Sequence, residues 1–486
     1  MATIEFVDQS IRDGQQSLWG MRLRPGHVLP VAAAIDSAGY RVVDLTGSSF
    51  FEVHVRFGRE DPWSGLDAMR AAMPRSLLRA GTRSNGIVGM GITPNAIIDL
   101  WVQTLAKHGI GSLWIYDCLH NLAAMERIAD VARDAGMLVA PQVNFSQSPV
   151  HTDEYFARVA AAMASWGSID SLIVGDEAGV LSPRRADVLL PALRGAAGDL
   201  PVEMHFHNST GMGTLNHVTG VESGMTILHT ALSPMANGPS MPSTDVAIDN
   251  MRRLGHEVAL DVTRLEEVGE HFRAIAIDEG HRLGTPVEYQ IATVQQQFPG
   301  GMTGTLLAQL RAHGMQDRLP EVLEEAVRVR AEYGYPVMAT PFSQLVGIQA
   351  MLNVVTGERF QSIPEENLMY LAGHYGQAPG PLDQDLLDRA FSSTRGRKIR
   401  AWTVPQPTIE EIRQQYGLTL SDEELLLRYL IPGSDVDAMY ADPAQIAPIR
   451  ATQPSMDARW LRELIESTSA RSLSVCCGGL SVDLRR

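Results

Sequence analysis

Short apolar runs rich in Val, Ile and Leu alternate along the first half of the chain with longer, Ala-rich segments of helical period. The runs predict strands and the longer segments predict helices, several of which close on Gly as helix C-termini often do. The predicted strands are 4–7, 42–45, 86–88, 113–116, 138–143, 172–174, 202–206 and 227–232. The predicted helices between them include 30–38, 97–108, 122–135, 152–165 and 184–197. Eight such repeats are typical of an α/β fold, the (β/α)8 TIM barrel.

The pattern changes after residue 285. From there to about residue 390 apolar residues recur at three-to-four spacing, which predicts amphipathic helices packed on a core of their own. Segment 408–440 predicts two short acidic helices, and the residues after it fit no pattern. The sequence therefore predicts a TIM barrel at 1–285, a mainly helical C-terminal domain at 286–440 and a tail of unknown structure at 441–486.

Polar residues follow nearly every predicted strand. Barrels of this type carry their chemistry at the C-terminal ends of the strands, where the polarity here exceeds what a structural rim needs. In strand order these residues are Arg12, Asp13 and Gln16; Gly47; Asn85 or its neighbours; Asp117 and Asn121; Asn144; Asp176; His205, His207 and Asn208; and Ser233 and Asn237.

His205 and His207 lie two residues apart on the seventh predicted strand, so their side chains face the same way. A histidine pair of this kind is often only hydrogen-bonded, and Arg12 with Asp13 could be a surface ion pair or a helix cap. The shared location at strand ends favours a metal site. Because only the eighth strand separates the first from the seventh around the ring, Asp13 can reach the same ion as the histidines.

Composition limits the function. A net charge of −16 argues against a nucleic-acid partner, because no basic surface is available to displace counterions from phosphates. No apolar run reaches the roughly 18 residues that a membrane span requires. The N-terminus lacks a basic-then-apolar export signal, so we expect a cytoplasmic protein. Three cysteines, two of them adjacent, cannot form a disulfide framework.

Several segments together resemble one enzyme family: the carboxyltransferase domain of pyruvate carboxylase, the alpha subunit of oxaloacetate decarboxylase and the related transcarboxylase subunit. The resemblance extends from the barrel into the helical region and covers about residues 3–430. The segments that carry it are 12–24, 44–63, 83–90, 116–121, the strand with His205 and His207, 298–302 and 335–347.

The resemblance implies roles for six residues. Asp13, His205 and His207 match the family's metal ligands, with Zn²⁺ as the first expectation and Mn²⁺ or Co²⁺ as alternatives. The positions that hold the 2-oxo acid in the family are matched by Arg12, Gln16 and Arg83. A guanidinium can clamp the carboxylate while a Lewis-acidic ion polarises the 2-oxo group and stabilises an enolate. In the family the helical extension forms a funnel over the barrel mouth and contributes to dimer contacts, which implies a homodimer.

Two positions depart from the family. Gly175 stands where the family has a lysine that becomes carbamylated and supplies a fourth metal ligand, and Pro239 stands where a threonine moves the proton between biotin and substrate. Asp176 or Glu177 could supply the missing ligand, although only Glu177 shares a strand face with Gly175. Asn208 replaces the usual Asp after the second histidine, which predicts a neutral partner for that imidazole.

No segment resembles a biotin-carrying domain, since Met and Lys never adjoin. Three hypotheses remain open. The chain could be a carboxyltransferase that uses biotin from a separate carrier protein, loaded by a biotin carboxylase. It could instead be a metal-dependent decarboxylase or aldolase of the same superfamily that needs no biotin. The third hypothesis, a catalytically reduced scaffold subunit of a carboxylase, conflicts with the retention of six polar site positions.

Overall fold

The structure is a computed structural model that describes residues 1–84, 86–298, 300–312, 314–451, 472–477 and 480–485, with the backbone alone described for 300–305 and for the two segments after 471. Parallel strands form a closed barrel in sequence order, because the first strand pairs with both the second and the eighth. The strands are β1 (Thr3–Asp8), β2 (Val42–Gly47), β3 (Leu78–Arg83), β4 (Ser112–Tyr116), β5 (Leu138–Asn144), β6 (Leu172–Asp176), β7 (Val202–Phe206) and β8 (Ile227–Thr230). A short strand, β9 (Glu257–Val258), adds to β1 outside the ring.

Helices follow the strands and then continue through the described residues as far as residue 441. In the first part of the chain they are α1 (Gln15–Trp19), α2 (Pro25–Val28), α3 (Ala32–Ser37), α4 (Ser48–Val53), α5 (Pro62–Ala72), α6 (Asn95–Lys107), α7 (Leu122–Asp134), α8 (Asp153–Ala164), α9 (Pro183–Ala196), α10 (Gly213–Glu222), α11 (Thr244–Arg253) and α12 (Val262–Glu279). Beyond the barrel they are α13 (Ile291–Gln296), α14 (Gly300–Ala312), α15 (Leu319–Glu332), α16 (Phe342–Thr356), α17 (Glu365–Leu371), α18 (Gln384–Ser392), α19 (Thr394–Ala401), α20 (Ile409–Tyr416), α21 (Asp422–Leu430) and α22 (Gly433–Ala441). Within the described residues, no helix combines the length and apolarity that crossing a membrane would take.

The predicted barrel is confirmed, but its third strand was placed wrongly at 86–88. The strand is Leu78–Arg83, and residues 86–88 belong to the loop after it. Two of the strand's six residues are arginines, both buried, so the segment lacks the apolar run that marks the other strands. Asn85, one of the polar residues predicted at a strand end, lies outside the described residues.

A charged pair occupies the barrel interior. Arg79 on β3 donates two hydrogen bonds to the Glu203 carboxylate on β7, at 2.6 and 2.9 Å, and Ser171 donates a third to the same group at 2.5 Å. Arg79 is 2% and Glu203 0% exposed. Burial opposes the charge on Glu203, but the Arg79 guanidinium and the His229 side chain together outweigh it and hold the pKa of the carboxyl well below its usual range. The interior of this barrel therefore contains a paired charge as well as apolar side chains.

The C-terminal helices divide between two apolar cores. A core separate from the barrel includes side chains from α14 to α18, such as Leu310, Val329 and Leu368, whereas apolar residues of α20 to α22, such as Leu426, belong to the barrel's core. Three helices occupy 409–441, where the sequence predicted two. The predicted domain limits at 285 and 440 stay predictions.

The separate core meets the barrel at the loops that follow the strands. Arg330 of α15 is buried and donates to the Gln147 carbonyl and the Ser146 hydroxyl after β5, at 2.9 and 2.7 Å. The Tyr375 hydroxyl donates to the Met90 carbonyl after β3 at 2.8 Å. Helices of the extension thus contact the rim at which the strands end.

Part of the predicted tail forms a hairpin. Strands β10 (Ser472–Cys477) and β11 (Leu480–Arg485) pair antiparallel, with Val475 opposite Val482. The strand period was not recognised in the sequence, and residues 452–471 lie outside the described residues.

We predict that Arg79→Met destabilises the protein by about 3–5 kcal/mol, because the substitution leaves the Glu203 charge buried and unpaired. Urea unfolding followed by tryptophan fluorescence measures the change in free energy of unfolding. The control is Arg253→Met, which removes an exposed ion pair with Asp249 and is expected to cost less than about 1 kcal/mol. Equal losses in the two variants would show that the interior pair does not stabilise the barrel.

Candidate metal and substrate site

Asp13, His205 and His207 converge at the barrel mouth. After β1 the chain makes a π-helical turn, Ser10–Gly14, that holds Asp13 in the mouth; His205 lies on β7 and His207 directly follows it. The Nε2 atoms of the two histidines each lie 3.5 Å from an oxygen of the Asp13 carboxylate. Within the described residues, this is the one group of three potential ligands whose donor atoms all lie within 4.8 Å of one another.

The backbone fixes the tautomer of His207. Its Nδ1 lies 2.6 Å from the carbonyl oxygen of Pro239. A carbonyl can only accept, so Nδ1 carries the proton and donates it, and the lone pair of Nε2 faces Asp13. Pro239 thus orients His207 through its backbone.

A relay from the barrel interior fixes the tautomer of His205. The Glu203 carboxylate accepts from Nε2 of His229 at 2.8 Å, which leaves Nδ1 of His229 as an acceptor. That Nδ1 accepts from Gln9 and from Nδ1 of His205, each at 3.0 Å. The Nε2 lone pair of His205 therefore faces Asp13, and Arg79 supports the relay through Glu203.

The three side chains fit a divalent cation. Both histidine Nε2 atoms are buried and have no hydrogen-bond partner. Ligand atoms about 3.4 Å apart can share one tetrahedral ion at bond lengths near 2.1 Å, close to the 3.5 Å between each histidine Nε2 and an Asp13 oxygen. Burial holds the pKa of His205 well below its usual value, which keeps that imidazole neutral. Burial also opposes a charge on His207, but the Asp13 carboxylate outweighs it and raises the pKa of His207, so a cation there would displace a proton.

Arg12 is held beside the ligand group. Its NH2 donates to the Asp13 carboxylate at 2.6 Å, and its guanidinium carbon lies 4.1 Å from the ring centre of Trp114. Its Nε donates to Gln9 at 3.3 Å and lies equally far from the Asp44 carboxylate. Sequence reasoning missed these three supporting side chains, although Trp114 stands on a predicted strand. Together with Asp13 they hold the guanidinium in one position at the barrel mouth.

Arg83 and Gln16 have other surroundings. Arg83 ends β3 and donates to the carbonyls of Ile87 and Gly89 at 3.2 and 2.8 Å. Gln16 is half-buried on α1, in the turn after Asp13. Burial raises the pKa of Tyr116 to about 12, while the charges of Arg83 and Arg12 both act to lower it. The charges of both guanidinium groups therefore act on the Tyr116 hydroxyl.

Two further expectations were tested by the geometry. Asn208 is not the partner of either site imidazole: it donates to Asn237 at 3.0 Å and accepts from the Gly213 amide at 3.1 Å, which closes the loop after β7. Neither Asp176 nor Glu177 belongs to the ligand group. Asp176 accepts from backbone amides of the following turn instead.

Comparison with known proteins identifies the class. Residues 116–271 match the HMGL-like family model, and residues 293–442 match the conserved carboxylase domain. Family models therefore match part of the barrel and most of the helical extension.

Two curated relatives and one solved structure define the match more closely. A pyruvate carboxylase subunit of Methanocaldococcus jannaschii is 31% identical over 437 residues, which are 88% of this chain and 76% of that protein. The 2-oxoglutarate carboxylase large subunit of Hydrogenobacter thermophilus is 30% identical over 442 residues, 88% of this chain and 67% of that protein. The carboxyltransferase domain of Rhizobium etli pyruvate carboxylase superposes with a TM-score of 0.82 at 24% identity, over 91% of this chain and 77% of that one, which supports the fold. The chain belongs to the carboxyltransferase family of pyruvate carboxylase, oxaloacetate decarboxylase alpha subunit and transcarboxylase.

We predict that His229→Leu weakens binding of a divalent cation about 10–100-fold, because His205 loses the acceptor that fixes its tautomer. Competition between the protein and a chelator for Co²⁺, followed by absorbance, measures the affinity. His217→Leu is the matched control, since His217 is equally buried and is not one of the hydrogen-bonded residues of the relay. An unchanged affinity in the His229 variant would contradict the role of the relay.

Proposed function

We propose that the chain is a metal-dependent carboxyltransferase or decarboxylase that acts on a 2-oxo acid through an enolate, with biotin supplied by a separate carrier protein. The observation that carries the proposal is the pair of buried, unpartnered Nε2 atoms facing the Asp13 carboxylate, with the Arg12 guanidinium alongside. Relatives named for carboxylation of pyruvate and of 2-oxoglutarate support a 2-oxo acid as the substrate class.

Each side chain has a distinct task in this proposal. Asp13, His205 and His207 would hold the divalent cation, Zn²⁺ in the first place and Mn²⁺ or Co²⁺ otherwise. When bound, such an ion polarises the 2-oxo group and lowers the energy of the enolate. Arg12 binds the substrate carboxylate and, held over the Trp114 ring, keeps it in one orientation.

Arg83 and Gln16 complete the proposed substrate contacts. Arg83 ends β3, and its charge acts on Tyr116 as that of Arg12 does, which supports a position at the same mouth. A rearrangement of its bonds to the Ile87 and Gly89 carbonyls would release the guanidinium for an anion. The proposed partners are a biotin carrier protein and the biotin carboxylase that loads it, in line with relatives named as carboxylase subunits.

A lyase that needs no biotin is the second candidate. The observation that favours it is Pro239, which has no hydroxyl proton to exchange and whose carbonyl accepts from His207. Decarboxylation of a 2-oxo acid and aldol cleavage use the same ion and the same enolate. The two candidates differ in whether biotin accelerates the reaction.

We predict that the purified chain binds about one divalent cation and decarboxylates oxaloacetate, and that free biotin accelerates turnover. Metal analysis and a coupled assay for pyruvate measure both properties. Turnover that is indifferent to biotin would favour the lyase. An absence of both metal and turnover would contradict both candidates and leave a scaffold subunit.

We further predict that His207→Ala loses the bound metal and at least about 100-fold of the activity, because two ligands cannot hold the ion in a position that polarises the substrate. The control is His256→Ala, beside β9 and remote from the mouth. Activity retained without metal would refute the mechanism.

A further inference from the structure

In the wall of the barrel mouth beside His205, the space next to Gly175 is filled by side chains of other residues. A Cβ atom on this residue would lie 2.0 Å from the Gln142 Nε2 atom and 2.8 Å from the Glu177 Oε1 atom, both closer than atoms can approach. Gly175 pairs with Asn144 of β5 on one side and with His205 of β7 on the other. The Gln142 amide and the Glu177 carboxylate therefore occupy the space that a longer side chain at position 175 would need.

Glu177 is held by two amides and has one unpartnered oxygen. Gln142 and Asn144 share a face of β5, are both fully buried, and each donates to Oε1 of Glu177, Asn144 at 3.4 Å and Gln142 in a short bond. Oε2 of Glu177 is buried without a hydrogen-bond partner among the described residues. A buried carboxyl oxygen without a partner is costly unless a ligand or a proton satisfies it.

The surroundings of Glu177 suit proton exchange near neutral pH. Burial raises the pKa of Glu177 to about 7, the nearby charge of His207 lowers it, and Asp176 raises it. The charge of Glu177 also acts to raise the pKa of Tyr116 and of Cys118, at and just after the end of β4. A carboxyl with such a pKa exists in both protonation states at neutral pH.

Other groups near Glu177 are less suited to this exchange. Burial raises the pKa of Tyr116 to about 12 and that of Cys118 well above its usual value. Both oxygens of Asp176 accept from the backbone amides of Val180 and Leu181. Pro239 has no proton to give.

We propose that Glu177 is a catalytic residue that exchanges the proton with the carbon next to the substrate carbonyl. The inference rests on the proposed function. In decarboxylation of oxaloacetate, the bond between C3 and C4 breaks, CO₂ leaves and the electron pair remains as the enolate. The proton on Glu177 Oε2 then moves to C3 to give pyruvate, and water returns a proton to the carboxylate. In the opposite direction the carboxylate removes a proton from the pyruvate methyl group.

The test compares Glu177→Gln with the wild-type protein. We expect the variant to lose about 100-fold or more of oxaloacetate decarboxylation and of deuterium exchange into the pyruvate methyl group, while metal content and melting temperature stay unchanged. Exchange is measured by proton NMR in D₂O. The control is Glu126→Gln, an exposed carboxyl on α7, which should behave as the wild type does.

The pH profile adds a second readout. Decarboxylation needs the protonated carboxyl, so the wild-type rate should fall as pH rises through about 7, while methyl exchange, which needs the carboxylate, should rise. Neither the fall in decarboxylation nor the rise in methyl exchange should be seen in Glu177→Gln. In Gln142→Met the Glu177 carboxylate loses a hydrogen-bond donor, which raises its pKa. The midpoints of both pH dependences should therefore move to higher pH. Midpoints that do not move in Gln142→Met would overturn the proposal even if Glu177→Gln failed to fold.

Three further outcomes would overturn the inference. If the decarboxylation and exchange rates of Glu177→Gln stay within about tenfold of wild type and keep their pH dependence, Glu177 is not the proton donor and the proposed function stands. If the variant loses metal together with activity, Glu177 acts as a ligand instead. If the wild-type protein has neither metal nor turnover, the proposed function fails and the inference with it.

Discussion

The hydrogen-bonded ion pair of Arg79 and Glu203 is the interaction on which the site depends. It places a fixed negative charge inside a closed barrel, and that charge determines which nitrogen of His229 carries a proton. The protonated nitrogen of His229 in turn determines which nitrogen of His205 carries a proton, and the remaining lone pair of His205 faces Asp13. Without Arg79 the carboxylate would be an unpaired buried charge and would take up a proton, and the direction of the relay would no longer be defined.

Closure of the barrel explains why residues so distant in sequence form one site. β1 pairs with β8 and β8 with β7, so Asp13 comes within 3.5 Å of His205 and His207 although almost two hundred positions separate them. A parallel barrel directs all its strand ends to one mouth. The helical extension contacts that rim through Arg330 of α15 and through Tyr375 in the turn after α17, so the mouth is bordered by two separate apolar cores.

One wall of the mouth is built around Gly175. Gly175 makes room for the amide of Gln142, and that amide orients the carboxylate of Glu177. A longer side chain at position 175 would need that space. The absence of a side chain at position 175 and the placement of the Glu177 carboxylate are therefore linked through a single volume, and the charge of that carboxylate acts on His207.

The sequence by itself determined the strand and helix alternation, the helical extension and the ligand group, because period-two and period-3.6 patterns and strand-end polarity are local properties of the chain. It missed β3, since buried arginines interrupt the apolar run there. Glu203 lies two residues before His205 on the same strand, so its side chain faces the same way as those of His205 and His207. This alternation could have identified Glu203 from the sequence. Only the tertiary structure decided the partners of those histidines and the contents of the space beside Gly175. A backbone carbonyl such as that of Pro239 has no sequence signature, and a cavity is filled by whichever side chains the closed sheet brings next to it.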